Sequence, residues 1–400
     1  MKKVLVLVLS VALLLTMVAC GNGASEQNRK NATKEQTDGE QDIAEKEKIG
    51  EQDQKSESEE IEHTGKKIDG EITRASVFSE GLAFVNVNGN KEKAYCINKE
   101  GYIVFELDFE LDGLFGELYS KFVNGFAKVG EGICDKKGKV TMPSDVGATK
   151  FSDCALEGGY ILAEKITSDY SSSKMELGVL NTDFEWIVQP SEEIYNATGG
   201  LWLARLNHCY YYNDYFFFEK DYRYDTYEVS GVYLNLKTGE LQDQIDVVPS
   251  STWQAGGDTP NFFDYGGNVV LNLETYNTIE HVEGTKFING KAPIRFFNSA
   301  YYFTMINEKG EFLFEPVETI QNHLVAYDGE TVLIADDILN AKKFACYDTS
   351  GNLLGQIDSE TIATNKGITC DISDGVIVLR VGGNTRYDCY FFTTDFAPLF

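Results

Sequence analysis

Proline is scarce in this chain, at 7 of 400 residues, and base is short: 35 Lys and Arg stand against 63 Asp and Glu, a formal net charge of −28. The shortage of base excludes nucleic acid as a partner, because phosphate binding is driven by clustered Lys and Arg. Four histidines, His63, His208, His281 and His323, are too dispersed to suggest a metal site or a catalytic pair. A C-x-x-C pair, a glycine-rich phosphate loop, a G-x-S-x-G elbow and an H-E-x-x-H helix are all missing, so the sequence asks for no cofactor and no metal. What is plentiful is glycine (37), tyrosine (22) and phenylalanine (25), a mixture that favours many strands joined by tight turns over long helices.

Aromatics are absent from Gly21 to Gly70, a stretch dominated by Glu, Gln, Lys, Asp, Ser and Asn. Such a segment buries too little apolar surface to offset its ordering entropy and reads as a disordered acidic tether. Fifty flexible residues reach roughly 35 to 42 Å in the root-mean-square sense. The tether holds 14 acids and 8 bases, whereas residues 71–400 hold 49 acids and 25 bases, so the acidity belongs mainly to the part with a core. A body this negative is repelled from anionic lipid and wall polymers, which favours neutral or cationic partners beyond the cell surface.

Ahead of the tether, Lys2 and Lys3 precede an apolar run from Val4 to Met17 that is shorter than the roughly 20 residues a bilayer span needs. Residues 1–19 therefore read as a secretory signal. Met17-Val18-Ala19-Cys20 resembles the lipobox of bacterial lipoproteins, with Met17 where that family prefers leucine. The resemblance implies cleavage before Cys20, lipidation of Cys20, and anchorage to the outer face of the bacterial cytoplasmic membrane.

From residue 71 to 400 a two-part pattern recurs. A glycine leads an alternating strand at Gly81, Gly125, Gly159, Gly200, Gly290, Gly329 and Gly375. A second strand then ends in a polar turn at Asn98, Asp135, Asn181, Asn235, Asn307, Asp348 and Thr393. Asn or Asp opens most of these turns with its side chain and glycine usually closes them, so each copy is a β-hairpin. Seven copies are legible, and Tyr265-Gly266-Gly267-Asn268-Val269-Val270-Leu271 reads as a degenerate extra strand or an eighth unit.

These copies resemble the tryptophan-glycine (WG) repeats of bacterial surface and secreted proteins. The best match is Gly132 to Pro143, preceded by Phe122 to Val129; the naming tryptophan is replaced throughout, as at Ala94 and Leu177, while the glycine survives at Gly178 and Gly231. The resemblance implies a β-repeat architecture and a binding role, with no catalytic motif. Roughly 45 residues per unit suits an all-β, repeat-built propeller of about seven blades, whose loops absorb the uneven spacing; a β-solenoid or an open hairpin array is the alternative.

Cys96, Cys134, Cys154, Cys209, Cys346, Cys370 and Cys389 make an odd set; Cys96 and Cys346 share a repeat position that Met305 takes in another copy, which marks a buried apolar slot, and one or two disulfides stay open. Glu106 to Asp112 alternates acid and apolar residues and reads as a solvated strand face over a core. Tyr210, Tyr211, Tyr212, Tyr215, Tyr222 and Tyr224 form the most unusual composition, either core aromatics or a surface for stacking sugars or anchoring a peptide. The expected function is non-catalytic recognition of an extracellular protein, peptide or glycan. A propeller-type glycosidase or lyase, and an envelope scaffold, are the alternatives.

Overall fold

The computed structural model describes residues 62–90, 92–109, 120–152, 156–168, 173–198, 209–212, 214–222, 229–243, 254–255, 261–263, 269–273, 280–285, 287–319, 323–337, 341–358, 368–383 and 386–400. The signal region, Cys20 and the tether as far as residue 61 lie outside them.

The chain is all-β, with one seven-residue helix, Glu192–Thr198, among the described residues. Its strands form small antiparallel meanders in which each strand pairs with its neighbour in sequence. Sheet 1 is Ile72–Ala75, Leu82–Val87, Ala94–Asn98 and Ile103–Leu107, and sheet 2 is Phe126–Val129, Gly132–Asp135 and Val140–Thr141. Sheet 3 is Lys150–Phe151, Tyr160–Ser168, Ser173–Asn181 and Trp186–Ser191; sheet 4 is Cys209–Tyr212, Tyr215–Tyr222, Val229–Asn235 and Leu241–Gln242. Sheet 5 is Gln254–Ala255, Asn261–Phe263 and Val269–Asn272, and sheet 6 is Glu280–Gly284, Lys291–Asn298, Ala300–Asn307 and Val317–Glu318. Sheet 7 is His323–Tyr327, Thr331–Ala335, Lys343–Asp348 and Leu353–Asp358, and sheet 8 is Ile368–Ser373, Val376–Gly383 and Arg386–Thr393.

Eight sheets are thus present among the described residues, where the repeat count predicts about seven. The additional one is sheet 5, which contains the degenerate strand Val269–Asn272. Its third strand ends at Asn272 with no glycine in the next three positions, so the repeat pattern stays degenerate there.

The repeat corresponds to the second and third strands of sheets 1, 3, 6, 7 and 8 and to the first and second of sheet 2, while the predicted strand Gly200 to Ala204 lies outside the described residues. Directly ahead of the first strand of a repeat, Glu80-Gly81, Asn124-Gly125, Asn289-Gly290 and Asp374-Gly375 take positive φ at both positions, the hairpin turn whose twist matches the flanking strands. After the second strand of a repeat the side chain of the leading Asx accepts backbone N–H groups: Asn98 from Tyr102, Asp135 from Lys137 and Lys139, Asn307 from Lys309 and Glu311, and Asp348 from Ser350 and Asn352. At Asp348 burial favours the neutral acid, but the bonds from the Asn352 side chain and from backbone N–H groups outweigh it and hold the carboxyl below its ordinary value.

The meanders stack face on face. Phe84 and Cys96 of sheet 1 pack with Phe122, Ala127 and Cys134 of sheet 2, and Ile133 of sheet 2 packs with Phe151 and Ile161 of sheet 3. Leu162 and Val179 of sheet 3 meet Phe216 and Phe218 of sheet 4. Similar cores join sheets 5 and 6 (Phe262, Ile294), 6 and 7 (Phe303, Ile334), and 7 and 8 (Leu333, Leu379). Sheet 8 in turn packs on sheet 1: Val376, Val378 and Phe391 share a core with Ile72, Ala75, Phe78 and Val85.

That last seam repeats the polar contacts of the sequential ones. Glu80 of sheet 1 accepts the Gly125 N–H of sheet 2 at 2.9 Å and pairs with Lys136 at 2.8 Å. Asp374 of sheet 8 accepts the Gly81 N–H of sheet 1 at 2.6 Å and pairs with Lys99 at 3.1 Å. Asp328 of sheet 7 likewise accepts the Gly375 N–H of sheet 8 at 3.1 Å. The apolar contacts repeat too: a β-carbon on Gly138 would stand 2.8 Å from the Phe105 ring of sheet 1, and one on Gly101 would stand 3.0 Å from the Phe400 ring beyond sheet 8. Both chain ends add to outer edges. Thr64, Lys66 and Ile68 exchange backbone hydrogen bonds with Gly101 and Ile103, so residues whose composition suits the tether extend sheet 1, while Ala397 and Leu399 bond to Thr393 and Phe391 of sheet 8.

Candidate functional site

The middle of the second strand in sheets 1, 3, 6, 7 and 8 is apolar and buried, with one repeated exception. Five residues after the turn glycine stand Asn86, Glu164, Arg295 and Arg380, all buried. Each sits directly opposite a polar residue of its sheet's first strand: Asn86 opposite Arg74, Glu164 opposite Lys150, Arg295 opposite Glu283, and Arg380 opposite Thr369. In sheet 7 the same register pairs His323 with Ala335. Directly opposed residues of an antiparallel pair share a face, so five sheets carry a polar pair or a lone His at one structural level. These ten residues, the collar, occupy equivalent positions of sheets 1, 3, 6, 7 and 8. It contains four Lys or Arg and two Glu, a local excess of positive charge in a chain of net −28.

The collar is tightest between sheets 6 and 7. Arg295 Nε donates to Glu283 Oε2 at 2.7 Å, and the Leu324 N–H of sheet 7 donates to the same oxygen at 3.0 Å. The guanidinium lies over the Tyr301 ring, 4.7 Å from its centroid, in cation–π contact. His323 Nδ1 is 3.5 Å from Glu283 Oε1, too long for a hydrogen bond. Arg295 Nη1 and His323 Nδ1 are both buried atoms without a hydrogen-bond partner. Between sheets 8 and 1 the arrangement differs. Arg380 crosses the seam and donates from Nε and Nη2 to the Ala75 carbonyl at 3.3 and 3.2 Å. Asp371, two residues along from Thr369, has its carboxyl pushed up by burial and partly drawn back by the charges of Arg380 and Lys121.

The tyrosine cluster singled out in the sequence is distributed differently. Tyr211 is half-buried against Tyr160 and Phe216, with ring centroids 5.4 and 5.8 Å away, and its ring covers Gly158. The Tyr215 ring meets Tyr233 edge-on, and its hydroxyl accepts a hydrogen bond from the Asn235 amide at 3.2 Å. Tyr210, Tyr212 and Tyr222 occupy strand positions, but their side chains lie outside the described residues, as does all of Tyr224. Both described rings are thus engaged in packing between and within sheets 3 and 4.

Cys96, Cys134 and Cys346 are buried free thiols in the cores between sheets, in line with the apolar slot read from the repeat. Burial pushes Cys134 and Cys346 up to about 12, which keeps them protonated and unreactive at neutral pH. Cys154 and the Cys209 side chain lie outside the described residues. Of the alternating acidic run, Glu106 is solvent-facing and pairs with Lys93 at 3.0 Å, whereas Glu110 to Asp112 lie outside them. Among the described residues no three His, Cys, Asp or Glu side chains come together as a metal-binding group.

The collar was not singled out by motif. Its one sequence signal is a charged or amide residue at a fixed offset from the turn glycine, interrupting an apolar strand, and that signal is legible only once the glycines are aligned.

No family model matches the chain, and no curated protein matches it. Similar solved structures include a eukaryotic initiation factor, 10% identical, covering 84% of this chain and 89% of that one with a TM-score of 0.33. The acylaminoacyl peptidase of Pyrococcus horikoshii is 12% identical, with coverage of 78% and 57% and a TM-score of 0.37. Prolyl oligopeptidase B of Galerina marginata is 13% identical, with coverage of 82% and 51% and a TM-score of 0.34. Likenesses this weak carry neither a family nor an activity over to the chain.

Proposed function

We propose that the eight sheets are the blades of a closed β-propeller, and that the protein is an exported, lipid-anchored, non-catalytic binding module recognising an extracellular protein, peptide or glycan. The observation that carries the architecture is the seam of sheet 8 on sheet 1, which reuses the acid-to-glycine and acid-to-lysine contacts of the sequential seam between sheets 1 and 2. An open hairpin array or a solenoid has no reason to bring its ends together in this way. In a propeller the first strand of each blade lines the central axis, so the collar faces the channel. The resemblance to WG repeats supports the binding role, and the lipobox supports the anchor.

Two measurements test the reading. Replacing Cys20 with serine should move the protein from the membrane fraction to the soluble fraction of cells; unchanged fractionation would sink the anchor. The soluble Cys20→Ser protein, screened by thermal shift against peptides, glycans and Ca²⁺, should be stabilised by a peptide or glycan. Free ligand at a hundredfold over its Kd adds about 2.7 kcal/mol. Turnover of a polysaccharide by the same purified protein would instead establish the glycosidase or lyase alternative.

A further inference from the structure

We propose that the collar between sheets 6 and 7 is an oxyanion-binding subsite of the binding module, in which Arg295 and His323 bind a carboxylate or phosphate group of the ligand. The proposal rests on the propeller reading, because that architecture turns the first strands of sheets 6 and 7 toward a channel a ligand can enter.

Five observations support it. Arg295 is only 7% exposed, yet its Nη1 has no acceptor. A buried guanidinium N–H without a partner is destabilising relative to a satisfied one, and an incoming oxyanion removes that cost. The guanidinium is held in place before any ligand arrives, with Nε anchored on Glu283 and its face on the Tyr301 ring. The binding edge is therefore pre-organised, and little side-chain entropy is lost on binding.

Glu283 does not compete for that edge. Its Oε2 is taken by Arg295 Nε and by the Leu324 N–H, and its Oε1 faces the His323 ring. His323, a side chain about one-third exposed, stands on the other side of Glu283, with its buried Nδ1 3.5 Å from Glu283 Oε1 and without a hydrogen bond. Finally, within the subsite Arg295 is matched by the single carboxylate of Glu283, whereas residues 71–400 carry 49 acids against 25 bases. The surrounding negative field selects against bulk anions, so an anionic ligand is accepted only where its charged group reaches the collar.

The test uses the soluble Cys20→Ser protein, titrated by isothermal calorimetry with sodium citrate and, separately, sodium phosphate, each against sodium chloride at matched ionic strength. Saturable heat with one of the two, absent with chloride, is expected; citrate identifies a carboxylate as the source of the group and phosphate identifies a phosphoryl group. Arg295→Lys keeps the charge but loses the planar fork, and should weaken that binding about tenfold or more. His323→Ala should weaken it by a smaller factor, about threefold to tenfold, while leaving the fold intact. If Arg295→Lys loses its native circular dichroism, His323→Ala decides alone. No saturable heat with either anion overturns the subsite, as does unchanged affinity in the folded variants. A peptide or glycan found by thermal shift in a protein that binds neither anion overturns the subsite and leaves the binding module standing.

Discussion

Phe84→Ala should lower the free energy of unfolding by about 3–5 kcal/mol, the range for emptying a fully buried aromatic site. Phe84 is completely buried between sheets 1 and 2. Its ring stacks on Phe122 at 5.3 Å and meets the edges of Phe109 and Phe105 at 5.8 and 6.1 Å. Three aromatic partners cannot collapse into the space together, since each is held by a different strand or loop, so a cavity remains and the lost contacts are not recovered. Phe84→Leu retains most of the volume and should lose less than half as much. Guanidinium chloride unfolding of the soluble Cys20→Ser protein measures both, and a loss below about 1 kcal/mol for the alanine variant would show that the seam is loosely packed.

Arg380→Met is expected to cost about 2–4 kcal/mol, by leaving the buried Ala75 carbonyl without its donors and Asp371 without its neighbouring charge. The bond it removes joins residues 305 apart in sequence and closes sheet 8 on sheet 1. In a closed ring this loss appears in the cooperative unfolding of the whole body; in an open array it would be confined to terminal sheets, with the main transition unmoved.

The effect also carries a pH signature. The Asp371 carboxyl is raised above its ordinary 3.8, chiefly by burial, so the folded form holds its proton more firmly than the unfolded chain does. Stability tied to this group is whole below about pH 3.8 and falls as the pH rises through the folded value. Arg380 holds that value down, and its removal raises it further. The deficit of Arg380→Met should therefore be larger at pH 7 than at pH 4, and a deficit independent of pH would show that Asp371 is not coupled to Arg380.

How much was legible beforehand depended on how far each feature reaches along the chain. The turns at Asn98, Asp135, Asn307 and Asp348 were read correctly because their bonds run between residues no more than four apart. The buried setting of Cys96 and Cys346 was legible because their repeat position is filled by a hydrophobe elsewhere. Sheet 5 was legible only as a degenerate extra strand or an eighth unit at Tyr265 to Leu271, since no glycine follows Asn272 within three residues. Among the tyrosines, composition marked the cluster but had no means of saying that Tyr211 lies over Gly158 of the preceding sheet.

The sequence by itself determined that this is a β-protein of repeated hairpins, where the hairpins turn, and that its acidity resides in the folded body, because propensity, turn chemistry and charge are properties of residues and their near neighbours. Tertiary structure alone decided that the last sheet seats on the first, that Arg380 reaches Ala75, and that Glu283, Arg295 and His323 form one group across two sheets. Such contacts are settled by how separate faces fill space and satisfy buried polar atoms, and no local pattern encodes which distant face will do so.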